Sequence, residues 1–261
     1  MRKELFFCAL NCFCFSGCAA GSDVGVTESA IVGGEPTGAD PQVGVFWGPV
    51  GPCTATLIGP RAILTAAHCF EYQSNPTATA TGWTFNFSGF TNAREIEGFV
   101  ALSSNPNDYW TPNDIAVAAL DRDVDPNAEG VYWSELGTQF PTEADRQLLW
   151  YGYGCGDYTT DSKGLHDCDG DSDYTSKRSL AVSWWAVNNK DFALRSEDTM
   201  QKNLATHGDS GGPLLDGAYI IGVNSRTITG ENNGIVHTSD RFANVVGNNA
   251  NIRNALAQLA L

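Results

Sequence analysis

Gly208-Asp209-Ser210-Gly211-Gly212-Pro213 is the most specific string in this sequence of 261 residues. A serine hydroxyl is a poor nucleophile until a neighbouring base takes its proton and a pair of donors receives the developing oxyanion. The glycines around Ser210 allow the backbone to turn so that N–H groups point into one small space. Taken alone, such a glycine-rich string is also compatible with a plain turn.

Two other strings supply the partners that a nucleophilic serine requires. Thr65-Ala66-Ala67-His68-Cys69 follows an apolar run and places a histidine beside a cysteine. Asn113-Asp114-Ile115-Ala116 places an aspartate at the start of another apolar run, where its carboxylate would be partly buried. Three such contexts, in the order His68, Asp114 and Ser210, predict a nucleophilic triad.

Ile31-Val32-Gly33-Gly34 is a fourth string, and with it the sequence resembles the trypsin-like (chymotrypsin-like) serine peptidases over residues 31–261. The other strings that carry the resemblance are TAAHC at 65–69, NDIAVAAL at 113–120 and GDSGGP at 208–213. The resemblance implies an all-β domain of two six-stranded antiparallel β-barrels with a C-terminal α-helix. The triad is expected in the cleft between the barrels.

The resemblance also implies a role for each residue of the site. Ser210 attacks the peptide carbonyl, His68 accepts its proton and later protonates the leaving amine, and Asp114 fixes the tautomer of His68. The N–H groups of Gly208 and Ser210 form the oxyanion hole, and Ser225 lies near the buried Asp114. This chemistry implies a protein or peptide substrate, no cofactor and no metal.

Cysteine usage divides the chain, because four cysteines lie in the first 18 residues and only Cys53, Cys69, Cys155 and Cys168 follow. An even number in the body, behind an export signal, indicates two disulfides in an oxidising compartment. Cys53 and Cys69 are 16 residues apart, as in the family's disulfide beside the catalytic histidine. Cys155 and Cys168 match no standard pair of the family, and we expect them to bridge each other across a 12-residue insertion.

The specificity pocket departs from the family's pattern. Members that cleave after Lys or Arg place an aspartate six residues before the nucleophile, where this chain has Leu204, which cannot compensate a buried cation. Thr206 replaces a cysteine that often braces the pocket, and Arg226 replaces a tryptophan. Thr227 and Ile235 occupy the expected pocket walls and are bulky enough to shorten the pocket. We therefore expect cleavage after small or medium apolar residues.

The first 18 residues are typical of an export signal. A short basic region precedes Leu5–Phe15, an 11-residue apolar stretch that is broken only by Asn11 and is too short for a permanent membrane helix. Phe15-Ser16-Gly17-Cys18 resembles the bacterial lipoprotein signal, in which the cysteine is lipidated. Ordinary signal-peptidase cleavage near Ala19 or Ala20 is the alternative. The protein is thus expected to be exported, and either secreted or anchored to a membrane through Cys18.

Residues 19–30 are small and polar, which is typical of a linker or pro-segment. Because nothing before Ile31 resembles the mature domain, we expect a zymogen that is activated by cleavage between Ala30 and Ile31. The resemblance implies that the freed α-ammonium of Ile31 pairs with buried Asp209, and that the Asp209 loop is displaced before cleavage. Ala30 is a small residue of the kind that the pocket is expected to accept, so we also expect self-activation.

The net charge and one acidic stretch bear on two further functions, which are nucleic-acid binding and calcium binding. The net charge of −15 argues against nucleic-acid binding, which requires a basic face. The stretch Asp167–Asp173 invites a calcium hypothesis, but as an EF-hand loop it has Tyr174 and Leu180 where Gly and Glu are needed. We expect a solvated acidic loop, with a calcium site as the alternative.

Two other functions stay open beside a monomeric peptidase. One is a catalytically inactive homologue that acts as a binding protein, although such proteins usually lose a triad member or the glycines of GDSGGP. The other is an esterase or acyl transferase, because the chemistry is shared.

Short apolar runs between Gly, Pro and Asn predict β-strands in the rest of the body. The runs are Val43–Trp47, Thr54–Ile58, Ala62–Ala66, Ile115–Leu120, Leu148–Tyr151, Leu180–Trp185 and Tyr219–Val223. Ile252, Ala255, Leu256 and Leu259 recur at helical spacing. They predict an amphipathic C-terminal helix that is capped by Asn251 and packs against the body.

Overall fold

The computed structural model describes residues 31, 34–49, 51–70, 82–87, 93–102, 113–142, 146–155, 158–160, 166–168, 174, 176–185, 191–194, 205–232 and 235–261. The predicted signal segment with Cys18, the segment 19–30, Leu204 and residues 169–173 of the acidic stretch lie outside these residues.

The described part of the chain forms sixteen β-strands and two α-helices. The strands are β1 (Glu35–Pro36), β2 (Val43–Gly48), β3 (Gly51–Gly59), β4 (Ala62–Thr65), β5 (Thr84–Asn86), β6 (Arg94–Ala101), β7 (Ala116–Leu120), β8 (Glu135–Leu136), β9 (Gln147–Gly152), β10 (Tyr158–Thr160), β11 (His166–Cys168), β12 (Arg178–Trp185), β13 (Asp191–Leu194), β14 (Pro213–Asp216), β15 (Tyr219–Asn232) and β16 (Ile235–Asn244). The helices are α1 (Pro126–Glu129) and α2 (Val245–Gln258), and neither of these described helices is long and apolar enough to cross a membrane.

The N-terminal half of the chain closes into a six-stranded barrel. Its strands follow the order β2-β3-β4-β7-β6-β5, and all six neighbouring pairs are antiparallel. β6 begins with alternating buried and exposed residues, as expected for a strand with one face in the core. β4 and β7 are buried throughout, which explains why their sequences are continuous apolar runs.

An aromatic cluster fills the barrel and reaches the turn that follows β4. The ring centroids of Phe70 and Phe99 are 4.0 Å apart, and those of Phe46 and Phe70 are 5.0 Å apart. Trp83 stacks on Phe46 at 5.2 Å. Each such contact adds about 0.5–1.5 kcal/mol beyond the burial of apolar area. Because Phe70 ends the 3₁₀ turn Ala67–Phe70, the cluster also anchors the turn that carries the motif histidine.

The C-terminal half forms an eight-stranded sheet. Its strands follow the order β1-β12-β13-β16-β15-β14-β9, with an additional pairing of β12 with β9 and with β8 parallel to β15. Leu148, Trp150, Leu214 and Phe242 belong to its core, where the ring of Trp150 meets that of Phe242 edge-on at 5.4 Å. β10 and β11 form a separate antiparallel hairpin.

The first expected barrel is confirmed, and the second sheet is consistent with the expected two-barrel fold, although it contains eight strands and not six. Two additional short strands take part in the second sheet, because the segment after Ile31 pairs with β12 and the connection between the halves pairs with β15. Each of these strands, β1 and β8, has only two residues, so no apolar pattern marks it in the sequence.

The C-terminal helix is confirmed, but its predicted start at Asn251 is wrong. The cap is Asn244, seven residues earlier, whose side chain accepts a hydrogen bond from the N–H of Gly247 at 2.6 Å, and α2 begins at Val245. Asn251 lies inside the helix. The predicted apolar stripe faces the body, and its members Ile252 and Ala255 are fully buried.

Candidate active site

His68 and Asp114 come together at one end of the barrel. The turn with His68 follows β4 directly, and Asp114 lies just before β7, which pairs with β4 through Thr65 and Ala116. The Nδ1 atom of His68 lies 2.8 Å from Oδ2 of Asp114, and the backbone N–H of His68 donates to Oδ1 at 2.9 Å. A proton on Nδ1 faces the carboxylate in this arrangement and leaves Nε2 as the proton acceptor.

Asp114 is 2% exposed, and its carboxylate receives three hydrogen bonds. Two come from His68, and the third comes from the hydroxyl of Ser225, which donates to Oδ2 at 2.5 Å. Burial alone would raise the pKa of Asp114, but the charge of His68 and the three hydrogen bonds outweigh it and lower the pKa below its ordinary value. Asp114 is therefore an anion at neutral pH and favours protonation of His68.

Ser210 lies in a turn that is held from both halves of the chain. Its carbonyl oxygen accepts a hydrogen bond from the N–H of Thr54 at 2.7 Å and lies 3.9 Å from Sγ of Cys69, the residue after the histidine. The N–H of Gly211 donates to the carbonyl of Asn224 at 2.8 Å, and Asn224 precedes the serine that binds the aspartate. These contacts place the candidate nucleophile beside the segments that carry the other site residues.

Two backbone N–H groups of this turn, those of Gly208 and Ser210, have no acceptor among the described residues. The N–H groups of Asp209, Gly211 and Gly212 all donate to carbonyl oxygens. Gly208 has a φ of +100°, and a Cβ there would lie 2.6 Å from a neighbouring carbonyl oxygen, so this position requires glycine. Two available N–H groups so close together are suited to receive a developing oxyanion.

Asp209 is fully buried behind Ser210, and uncharged groups hold its carboxylate. The N–H groups of Gly154 and Thr206 both donate to it at 2.8 Å, and the hydroxyl of Thr206 donates at 3.1 Å. The nitrogen of Ile31 lies 3.3 Å from Oδ2. Burial raises the pKa of Asp209 to about 7, although the hydrogen bonds from Thr206, Gly154 and Ile31 act in the opposite direction.

Ile31 is completely buried beside this carboxylate. We expected the loop around Asp209 to be displaced as long as the chain before Ile31 is intact. In the structure, the nitrogen of Ile31 faces Asp209 at 3.3 Å, which is the pairing that the resemblance implies for the cut chain.

Both expected disulfides are present, the first between Cys53 and Cys69 and the second between Cys155 and Cys168. The first joins β3 to the turn that carries His68. Cys53, His68 and Cys69 also form the one cluster of potential metal ligands within the described ranges. Because both sulfur atoms are in the disulfide, they are not available as thiolate ligands.

Two threonines of the site have no signature in the sequence. The hydroxyl of Thr54 donates to the carbonyl oxygen of Gly208 at 2.7 Å, although the two residues are 154 positions apart. The hydroxyl of Thr206 donates to Asp209, whereas the sequence identified Thr206 only as the position of a missing cysteine. A threonine in a strand or in a loop is ordinary, so only the tertiary structure reveals these contacts.

The predicted specificity pocket is described only in part. Leu204 and the side chain of Ile235 lie outside the described parts of the structure. Thr227 is partly exposed, and its hydroxyl donates at 2.8 Å to Asp240, its partner across β15 and β16.

Comparisons with known proteins agree on one family and one fold. The chain matches the family model described as Trypsin over residues 31–246. Human heparin binding protein is similar in structure, with a TM-score of 0.64 and 19% identity over 87% of this chain and 97% of that chain. The scabies mite inactivated protease paralogue S-D1 is similar with a TM-score of 0.66 and 15% identity, over 87% of this chain and 98% of that chain. At such low identities the structural matches show the fold alone.

Proposed function

Because the chain belongs to the trypsin family, as the match over residues 31–246 shows, we propose that it is a serine endopeptidase that acts as a monomer on proteins or peptides. The observation that carries the proposal is the hydrogen-bonded path from Ser225 through Asp114 to His68, beside the turn that holds Ser210. The two disulfides and the family membership fit an extracellular protein.

In the proposed mechanism, Ser210 attacks the carbonyl carbon of the scissile bond while its hydroxyl proton moves to Nε2 of His68. Asp114 stabilises the imidazolium that forms, and the N–H groups of Gly208 and Ser210 stabilise the oxyanion. His68 then protonates the leaving amine, which leaves an acyl group on Oγ of Ser210. Water, deprotonated by His68, attacks this acyl group and releases the carboxylic acid and the free serine.

The proposed specificity is for small or medium apolar residues on the acyl side of the cut bond. An apolar floor at Leu204 offers no partner to a buried Lys or Arg side chain, whose desolvation would then be uncompensated. Thr227 and Ile235 as walls would shorten the pocket. These positions rest on the family resemblance.

Activation of the proposed enzyme is a cut between Ala30 and Ile31. The nitrogen of Ile31 lies 3.3 Å from the Asp209 carboxylate, so an α-ammonium at this atom would supply the cation that a buried carboxylate needs. A pocket that accepts small residues would accept Ala30, which favours self-activation. If Cys18 is lipidated, the same cut would release the catalytic domain from the membrane.

A catalytically inactive binding protein is the second candidate, because the structural matches include proteins described as an inactivated protease paralogue and a heparin binding protein. Heparin is a polyanion, and a net charge of −15 disfavours such a ligand. The chain also retains His68, Asp114 and Ser210, which a protein that only binds does not require.

A fluorophosphonate probe and a panel of chromogenic peptides test the proposal on protein cut before Ile31. We expect the probe to label the wild type and not Ser210→Ala, and kcat/KM to fall by about 10⁴–10⁶ in Ser210→Ala and in His68→Ala. Peptides that end in Ala or Val should be cut faster than those that end in Arg or Lys.

Melting curves provide the control that the variants are folded. A folded, correctly cut wild type that neither reacts with the probe nor cleaves any peptide contradicts the peptidase function and supports the binding protein. A preference for Arg-ended peptides contradicts the pocket assignment alone.

A further inference from the structure

Thr54 uses all of its polar atoms in one network, and its side chain is 0% exposed. Its N–H donates to the carbonyl oxygen of Ser210 at 2.7 Å, and its hydroxyl donates to the carbonyl oxygen of Gly208 at 2.7 Å. The same hydroxyl oxygen accepts from the N–H of Tyr153 at 2.9 Å, and the carbonyl of Thr54 accepts from Thr65 at 2.8 Å. Thr54 therefore holds the carbonyl groups on both sides of Asp209.

These bonds cross between the two halves of the molecule. Thr54 lies in β3 of the closed barrel, whereas Tyr153 follows β9 and Gly208 precedes β14, both of the second sheet. The hydroxyl is thus the point where the barrel meets the backbone of the turn. Its one proton goes to Gly208, because the N–H of Tyr153 occupies its acceptor side.

The orientation of the Gly208 carbonyl matters because Gly208 has no side chain to restrict its backbone. Its φ of +100° lies in a region that glycine enters freely, so the torsion angles on both sides of its Cα need an external restraint. The carbonyl of Gly208 and its N–H are separated only by these two torsions. A hydrogen bond that fixes the carbonyl therefore limits where the N–H can point.

We propose that Thr54 is a positioning residue of the oxyanion hole: its hydroxyl orients Gly208 so that the N–H groups of Gly208 and Ser210 converge on one point. The inference rests on the proposed peptidase function. Thr54 touches no reacting atom, and it acts on the transition state through Gly208. Loss of the hydroxyl should therefore weaken stabilisation of the oxyanion more than binding of the substrate.

The test is Thr54→Val, which removes the hydroxyl at nearly constant shape and suits a strand. In protein cut before Ile31, we expect kcat for a peptide amide to fall by about 10- to 100-fold, with KM changed by less than about threefold. Affinity for a peptide aldehyde, which forms a tetrahedral adduct with Ser210, should fall by the same factor as kcat/KM. Thr54→Ser, which keeps the hydroxyl, should restore most of both.

Thr56→Val is the matched control. Thr56 lies two residues further along β3, is 1% exposed, and has a hydroxyl without a hydrogen-bond partner in the described structure. The same substitution there should leave kcat and aldehyde affinity unchanged. Thr54→Ala, which is smaller, replaces Thr54→Val if the valine variant does not fold.

A folded Thr54→Val protein with kcat within about twofold of the wild type overturns the inference. So does an equal loss in Thr54→Ser or in Thr56→Val, because a loss that does not depend on the Thr54 hydroxyl has another cause. If the wild type itself cleaves nothing, the proposed function fails, and hydrogen exchange then decides the positioning role. Faster exchange in Thr54→Val at the amide of Asp209, which shares a peptide group with the Gly208 carbonyl and donates to the carbonyl of Thr206, supports the role, and unchanged exchange overturns it.

Discussion

At the scale of single residues, the site contains two buried carboxylates whose pKa values shift in opposite directions. Asp114 lies beside His68, and the attraction to the imidazole when it is protonated, with the hydrogen bonds from His68 and Ser225, outweighs burial and lowers the pKa. Asp209 faces backbone N–H groups and a hydroxyl, and burial raises its pKa to about 7. The difference is the neighbouring group: Asp114 has the imidazole of His68, whereas Asp209 has only the uncharged donors described above while Ile31 is part of an uncut chain.

The raised pKa of Asp209 predicts a loss of stability at higher pH in the uncut protein. The folded state favours the protonated carboxyl, so its contribution is complete below about pH 3.8 and is lost as the pH rises towards about 7. We expect the free energy of unfolding of uncut Ser210→Ala, relative to that of Ser210→Ala/Asp209→Asn, to fall over this range by on the order of 4 kcal/mol. Urea unfolding at several pH values measures it.

The same pair of proteins, cut before Ile31 by an added protease, provides the control. An α-ammonium is charged throughout this pH range and should pair with the carboxylate, so the difference between the two variants should no longer fall. A difference that is independent of pH in the uncut pair would show that Asp209 is not perturbed.

The sequence reveals those residues whose neighbours along the chain are themselves distinctive. His68, Asp114 and Ser210 each lie in a recognisable string, and both disulfides follow from cysteine counts and from the family. Thr54 and Thr206 lie in no such string, because their roles depend on partners that the fold brings close. For Thr54 that partner is a backbone carbonyl, which any residue could supply.

At the scale of elements, strands with a buried face are predictable and strands that only complete a sheet are not. The apolar runs at Val43–Trp47 and Tyr219–Val223 lie in β2 and β15. β1 and β8 have two residues each, and backbone pairing with a long strand holds them in place. The start of α2 was missed because Asn244 ends a strand and caps a helix at once.

The disulfide between Cys155 and Cys168 also supports the turn that contains Gly208 and Ser210. The N–H of Cys155 donates at 2.9 Å to the carbonyl of His207, which belongs to the peptide group that carries the N–H of Gly208. We expect Cys155→Ser/Cys168→Ser to lower the free energy of unfolding by about 2–4 kcal/mol. Its kcat should fall by about tenfold, because that peptide group loses a restraint.

Urea unfolding and steady-state kinetics at a temperature where the variant is fully folded separate these two effects. The single variants Cys155→Ser and Cys168→Ser should each show the same losses as the double variant, since either one abolishes the bridge. A double variant with wild-type kcat would show that the bridge stabilises only the hairpin of β10 and β11.

At the scale of the whole molecule, the candidate site belongs to neither half alone. The barrel half supplies His68 and Asp114, whereas the other half supplies Ser210, Gly208 and Ser225. Two sets of contacts therefore fix the relative position of the two halves. They are the hydrogen bond between Ser225 and Asp114 and the contacts of Thr54. A change in their relative position would alter the geometry of every step of the proposed mechanism.

The proposed activation predicts two different N-termini. We expect the purified active protein to begin at Ile31, and Ser210→Ala, made where no other protease can act, to begin earlier in the chain. N-terminal sequencing of both proteins measures this. The variant Ala30→Arg provides a stricter test, because the expected pocket does not accept Arg. This variant should stay uncut until trypsin is added, and it should then become active.

Two outcomes would contradict different parts of this prediction. An active enzyme whose chain still begins well before Ile31 contradicts the activation mechanism. A Ser210→Ala protein already cut at Ile31 under these conditions contradicts self-cleavage alone.

The burial of Ile31 limits which N-terminal residue can complete the site after cleavage. Its side chain has no exposed surface, and its nitrogen lies 3.3 Å from Asp209. The side chain of Ile31 is closely packed, since a Cβ built on Gly152 would lie 3.2 Å from its Cγ1 atom. A chain that begins one residue earlier has a peptide nitrogen, and not an α-ammonium, at the atom 3.3 Å from Asp209, and a chain that begins one residue later lacks that atom. In a preparation with heterogeneous N-termini, the active fraction should therefore equal the fraction of chains that begin at Ile31.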